Sequence, residues 1–407
     1  MLILLLVLVG TEITDISLNK IYVFNNTEFP LEWKMFMFIS ITAVYVFGQS
    51  VIMKYVRKSS KDIRSIEKLR LSVLHNITRF TQYALIAVLS VVILQMIISS
   101  FYSIRLLITS IWISYAQAIF MLGFLARHFF YWFRSNRNIV VLFYGLSTAS
   151  IGVDAAISLA LTTSLLIGQP LDIHQIFAST SALIPDNLIP LLNAFTVASI
   201  MSFILTWIAT ALMLRHHSRR LGIIKYWVIV SIPLVYFLTQ FQPLFVYFFS
   251  SYMAADPISF SIIYTIIFSA SRPVGGLLFA AAFWSIAHSI NARQLRKYMI
   301  ISANGLALIF ASEQAIILAD RPYPPFGLPT ISFFGLSSYL VLVGIYSSAI
   351  SISGDSKLRQ SIRSFAIKES RLLDSIGTAQ MEQEIQRRVL TLTKQNQDRM
   401  AEETGIH

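Results

Sequence analysis

The sequence predicts an all-α membrane protein: a polytopic transmembrane helical bundle of about nine spans, with its N-terminus outside and a helical C-terminal tail in the cytoplasm. Three observations carry that expectation. Of 407 residues, 56% are hydrophobic and only 13% are charged. Long apolar runs alternate with short polar connections, and every second connection is loaded with Lys and Arg.

A predominantly apolar run of about 20 residues is long enough to cross ~30 Å of hydrocarbon at ~1.5 Å per helical residue. Such runs occur at Met35–Met53, Phe80–Phe101, Leu106–Leu125, Ile139–Leu161, Leu191–Leu214, Trp227–Phe249, Ile262–Ala287, Tyr298–Leu318 and Ile331–Ile352. They divide the chain into an N-terminal segment 1–34, a bundle 35–352 and a tail 353–407. Met1–Gly10 is apolar but too short to span by itself, and it lacks the basic flank of a signal peptide. It reads as a leader, an incomplete leader or an interfacial segment.

Orientation follows from the cations. Lys and Arg number 8 in Lys54–Arg79, 3 in Arg127–Arg137, 4 in Arg215–Lys225, 3 in Arg293–Lys297 and 9 after Ile352. Together these hold 27 of the chain's 32, all on one side of the predicted membrane. Cytoplasmic loops retain positive charge because its translocation is opposed, which places this side inside. Trp132, Trp227 and Trp284 fall at inner span ends, where an indole buries its ring and wets its N–H. The +12 net charge is dispersed over loops facing anionic lipid and is not gathered into a nucleic-acid-binding module.

Outside the bilayer the chain is sparse. External connections are short except 168–187 and the Pro-rich Asp320–Thr330. Inside, Ile63, Ile66, Leu69 and Leu74 share one face of an amphipathic segment over Lys61–Leu74. In the tail, Asp355 is placed to cap a helix with a stripe of Leu358, Ile362, Phe365, Leu372, Leu373 and Ile376. Gly377 is expected to interrupt it. Thr378 then caps a second helix whose narrow apolar face is Met381, Ile385, Val389 and Leu392. Stripes of this kind need a cover: a second copy, a cytoplasmic protein or the membrane.

The 407 residues are nearly consumed by spans, which leaves no room among them for a soluble catalytic domain. No His-Glu-x-x-His, Gly-x-Ser-x-Gly or P-loop pattern occurs, and with 0 Cys there is no thiolate metal site. No span contains the Lys a retinal Schiff base requires, and Asp154 is the only Asp within a predicted span, whereas an intramembrane aspartyl protease needs two. His128, His216, His217 and His288 lie at inner span ends, where hydration is the ordinary fate of an imidazole. The only tail histidine is the final residue, His407, so the tail is not a phosphoacceptor helix. The expectation is a non-enzyme without cofactor or metal.

The costly residues are intramembrane. Asp154 and Arg272 fall at matching depth in the fourth and seventh predicted spans, and Glu313 falls in the outer third of the eighth. An ionisable group at mid-membrane costs roughly 2.5–3.5 kcal/mol on insertion scales, so each must face protein or water and seek a partner. Small residues at close-packing spacing flank them: Thr148, Gly152, Ala156 and Ala160 in one helix, and Ser271, Gly275, Gly276 and Ala280 in the other. Pro273 frees a backbone carbonyl beside Arg272. Two readings follow. One is an ion pair that locks two helices; the other is a polar cavity open to the outside near Glu313, Gln314 and Gln242. At the level of function, the sequence favours a membrane-embedded sensor or signalling adaptor, with a transporter or channel subunit as the alternative.

Overall fold

The computed structural model describes residues 2–20, 30–59, 65–99, 101–167, 186–215, 222–239, 249–251, 255–290, 292–320, 322–354 and 371–404. The chain is all-α, with no strand among these residues. In chain order the helices are α1 (Leu2–Lys20), α2 (Leu31–Ser59), α3 (Ser65–Ser99), α4 (Ile104–Asn136), α5 (Ile139–Ile167), α6 (Ile189–Leu214), α7 (Ile223–Thr239), α8 (Pro257–Ser269), α9 (Ser271–Ser289), α10 (Arg293–Ser312), α11 (Leu328–Ser332), α12 (Phe334–Gly354) and α13 (Arg371–Thr404). Nine stretches among the described residues are long and apolar enough to cross a membrane.

Their membership differs from the expected nine. The apolar run at the N-terminus is ten residues long, but its helix is not. It continues to Lys20 because Glu12, Asp15 and Asn19, spaced i, i+3 and i+7, form one face that turns inward and is buried. Leu2–Asn19 therefore counts among the nine. The expected sixth span is represented by α7, 17 residues long, and residues 240–248 lie outside the described set.

Burial locates the centre. Over their most apolar 18-residue windows, Leu328–Ser353 is 100% buried, Arg293–Ala319 83% and Leu71–Ser99 only 28%. The α10–α12 pair is thus the axis, and α3 lies at the rim with one side left for lipid. A ring of packed helices runs α12, α4, α5, α6, α9, α10 and back to α12. Close approach at the axis depends on glycine: a Cβ at Gly305 would sit 2.7 Å from the Val341 amide nitrogen. The buried Ser337, Ser338, Ser348 and Ser353 of α12 satisfy themselves locally, as where Ser348 Oγ donates to the Gly344 carbonyl at 2.7 Å.

Three further expectations are revised. The Pro-rich stretch before α11 is not a solvent loop: Pro322, Pro324, Pro325 and Phe326 are buried, and the Tyr102 hydroxyl donates to the Pro322 carbonyl at 2.8 Å. Ser65–Ser99 is one helix, so residues 65–74 extend the following span, while residues 60–64 lie outside the described set. Only part of the small-residue stripe of α5 packs: Thr148 is buried and a Cβ at Gly152 would lie 3.8 Å from Leu122 of α4, whereas Ala156 and Ala160 are exposed. The face that meets α6 carries Ser147 and Asp154, and Ser158 bonds Tyr115 of α4. Hydrogen-bonding groups cannot be left in hydrocarbon, and alanine can.

The tail departs most. Gly377 does not separate two helices, and Thr378 caps nothing: both lie inside the continuous α13. A Cβ at Gly377 would approach the Ile352 Cβ to 2.8 Å, so this glycine lets α13 press against α12. Leu372, Leu373, Ile376 and Ala379 are buried beneath it. Leu358, Ile362 and Phe365 lie outside the described residues. Trp132 is not an interfacial anchor either; it is fully buried and its indole Nε1 donates to Gln380 Oε1 at 3.1 Å.

Candidate functional site: a buried three-charge cluster

The three charged residues singled out in the sequence converge at one point. Asp154 comes from the middle of α5, Arg272 from the first turn of α9, and Glu313 from the residue that ends α10. Arg272 Nη2 lies 3.3 Å from Asp154 Oδ2, and Nη1 lies 3.7 Å from Glu313 Oε2. The guanidinium thus joins two carboxylates with separate edges, as its rigid fork of donors permits.

Two backbone breaks make this geometry. Pro273 has no N–H and its ring clashes with the carbonyl four residues back, so the helix cannot run through Ser269. It stops there and restarts at Ser271, with Ala270 in a turn between. Arg272 is carried on this restart. On the other side α10 ends at Ser312, and Glu313 departs from helical geometry with ψ 65°. Its carbonyl is thereby freed and accepts from Arg272 Nη1 at 2.6 Å. The sequence placed the kink through Pro273, but the break at Glu313 carries no proline and gave no local signal.

α6 supplies partners that sequence reasoning missed. Ser199 Oγ is hydrogen-bonded to Arg272 Nη2. Ser202 Oγ lies 3.3 Å from Asp154 Oδ2 and 2.9 Å from the Ser199 carbonyl, sharing its proton between them. One turn further, Ser147 of α5 donates to Thr206 Oγ1 at 2.6 Å, leaving the Thr206 proton for the Ser202 carbonyl at 2.7 Å. Their spacing, Ser199, Ser202 and Thr206, is a helical face, and that is the signal that could have found them. From α4, Tyr115 accepts the Ala315 N–H at 3.1 Å.

The cluster is occluded. Asp154 is 0% exposed, Glu313 1% and Arg272 9%. Toward the C-terminal end of α9 it is closed by packed rings: Phe203 stacks on Phe237 at 3.9 Å and meets Phe279 and Phe310 edge-on at 5.2 and 5.7 Å. Gln242, expected to line an opening near Glu313, lies outside the described residues. The Asp154 and Glu313 side chains also hydrogen-bond to each other. Two carboxyl groups can do so only with a proton between them, which leaves one negative charge facing the single cation. Chemically, the arrangement can lock three helices and can exchange one positive charge.

His128 and His288 each bond the carbonyl four residues back on their own helix, at 2.8 Å, and His216 and His217 lie outside the described residues. No group of three or more metal-ligating His, Cys, Asp or Glu side chains forms among the described residues. Comparison with known proteins finds no matching family model, no matching curated protein and no matching solved structure.

Proposed function

We propose that the chain is a non-enzymatic sensor or signalling adaptor of the cell membrane, in which the bundle receives an input and the tail helix passes it to a protein partner. The observation that carries this is the double character of α13. Its first half is bonded to the bundle: Asn136 Nδ2 donates to the Ser375 carbonyl at 3.1 Å, Asn138 Nδ2 to Ser375 Oγ at 2.6 Å, and Ser135 Oγ to Glu382. Its second half leaves the bundle with Ile385, Val389, Leu390 and Leu392 all more than half exposed. A helix fixed in its first half, with an exposed apolar patch in its middle, is built to receive another helix, from a second copy or from a cytoplasmic protein. The charge asymmetry of the loops supports an inner location for this end, because the Arg127–Arg137 segment that holds α13 belongs to the cation-rich side.

The test is crosslinking in intact membranes from a photoreactive residue at Thr391. Ile385→Asp with Val389→Asp should abolish the crosslinked species while leaving insertion unchanged. A crosslinking pattern that survives both substitutions would sink the adaptor reading. A second reading, a transporter or channel subunit, rests on a different observation: the helix breaks at Ala270 and Glu313 beside a buried charge, a combination that transporters use at substrate sites. Solute flux through the purified protein in liposomes, lost on Arg272→Gln, would favour it.

A further inference from the structure

A second buried acidic site lies on the opposite side of α10, formed by α1 with α2 and α11. Glu12 and Asp15 are both 0% exposed. Glu12 has no hydrogen-bond partner on either carboxylate oxygen. Asp15 Oδ2 accepts from Thr330 Oγ1 at 2.6 Å and from the Thr330 N–H at 3.3 Å, and the Asp15 carboxyl also accepts from the Gly327 backbone N–H. Tyr45 completes the group, with its hydroxyl 2.8 Å from Thr330 Oγ1.

Proton counting decides what this site offers. A threonine hydroxyl carries one proton, and here it is directed to Asp15. The Tyr45–Thr330 hydrogen bond must therefore use the proton of Tyr45. What remains is the Glu12 carboxyl, whose two oxygens have no partner, beside the Asp15 carboxyl and the phenolic oxygen of Tyr45. Charge links Glu12 to Asp15, and both to Tyr45, yet among the described residues no hydrogen bond joins the two carboxyl groups, and no Lys, Arg or His charge acts on either of them. A buried acceptor-only group without a donor or a counter-charge is strongly unfavourable by itself. Hard oxygen ligands of this kind are the preferred environment of alkali and alkaline-earth cations. A buried Ca2+ needs 6–8 oxygens, more than the residues here present, so the balance favours a monovalent ion with one carboxyl keeping its proton.

We propose that Glu12, Asp15 and Tyr45 form a binding site for one alkali-metal cation, with Na+ as the fitting probe. The ion ties α1 to α2 and α11, three elements otherwise joined here through Thr330. The site is independent of the three-charge cluster and of the tail.

The experiment uses the full chain in nanodiscs of neutral lipid, with NaCl replaced by N-methylglucamine chloride at constant ionic strength. The unfolding temperature should rise with Na+ concentration as mass action on the folded state requires. Radioactive sodium should bind to one ion per chain. Glu12→Gln and Asp15→Asn should each abolish both effects, and Tyr45→Phe, the mildest change, should weaken binding without removing it. In the absence of Na+ the Glu12→Gln protein should be at least as stable as the parent, since a stranded charge is gone. Binding to the parent protein stands as evidence even where a variant fails to fold. The proposal is overturned by an absence of Na+ binding and stabilisation in the parent. It is overturned equally if Ca2+ or Mg2+ stabilises where Na+ does not, or if acidification stabilises and Na+ adds nothing. Sodium binding that survives Glu12→Gln and Asp15→Asn but is lost in Asp154→Asn would move the site to the other cluster and refute this one.

Discussion

Arg272 should be far harder to remove than either carboxylate it serves. In the parent, two carboxylates share one guanidinium, at 3.3 and 3.7 Å. Arg272→Gln strands the carboxylate charge of the pair in a dry interior, and breaking a buried pair by deleting one partner typically costs about 3–5 kcal/mol. Asp154→Asn instead leaves an Arg272–Glu313 pair. It weakens contacts to Arg272, Ser202 and Glu313 but leaves the guanidinium a carboxylate partner, so its cost should be about that of one net hydrogen bond, ~0.5–1.5 kcal/mol. Glu313→Gln should resemble Asp154→Asn, because the Glu313 carbonyl that accepts from Arg272 at 2.6 Å is untouched.

The same count dictates how the losses combine. Asp154→Asn with Arg272→Gln should recover most of the Arg272→Gln loss, since a buried Glu313 without a cation keeps a proton and no bare charge is left. Adding Glu313→Gln should then change little. The assay is reversible unfolding by SDS titration in mixed micelles, followed by Trp207 and Trp284 fluorescence. Losses of equal size for Arg272→Gln and Asp154→Asn, or strictly additive losses through the cycle, would show that the three residues are not energetically joined, and the reasoning from charge balance would fail.

Other outcomes are expected elsewhere. Cysteine at Ser218 should react with a membrane-impermeant maleimide only after the membrane is opened, and cysteine at Ser179 should react in intact cells; the reverse pattern would overturn the orientation drawn from the cations. Gly377→Leu should detach α13 by driving a side chain into Ile352, at a cost of about 1–3 kcal/mol, read as faster trypsin cleavage of the tail. Gly305→Leu should be worse tolerated still, because the atom it would meet is the backbone nitrogen of Val341 at 2.7 Å and not a side chain that can turn aside.

Much of this fold was legible because hydrocarbon imposes a length and a composition on every span, and both are local properties of sequence. The pairing of Asp154 with Arg272 was legible for a similar reason: intramembrane charges are few, and depth can be counted from span ends. Where the reading failed, the deciding interaction was long-range. Glu12 and Asp15 look like the end of an apolar run until Thr330, 315 residues away from Asp15, supplies donors to one of them. Gly377 is a helix breaker by propensity, but Ile352 needs it as a contact surface, and packing outweighs about 1 kcal/mol of propensity. Trp132 has the position of an interfacial anchor, and only the arrival of Gln380 makes it an internal donor.

The two functional readings differ in where the molecule must yield, and the helices distribute stiffness unevenly around Arg272. α5 runs unbroken from Ile139 to Ile167, so Asp154 is joined to the tail-binding turn at Asn138 by 16 residues of continuous helix, about 24 Å. On the other side of the guanidinium the hydrogen-bond ladder is already interrupted, at Ala270 and again at Glu313. A change in the charge state of the cluster therefore has a stiff route toward α13 and a compliant one through α8, α9 and the end of α10. If the protein signals, neutralising Asp154 should alter distances measured between spin labels on α13 and α4. If it transports, the same substitution should leave α13 in place and change the distances between α8 and α6. Movement at neither pair would mean that the cluster serves only to hold α5, α9 and α10 together, and both functional readings would then have to seek their input elsewhere.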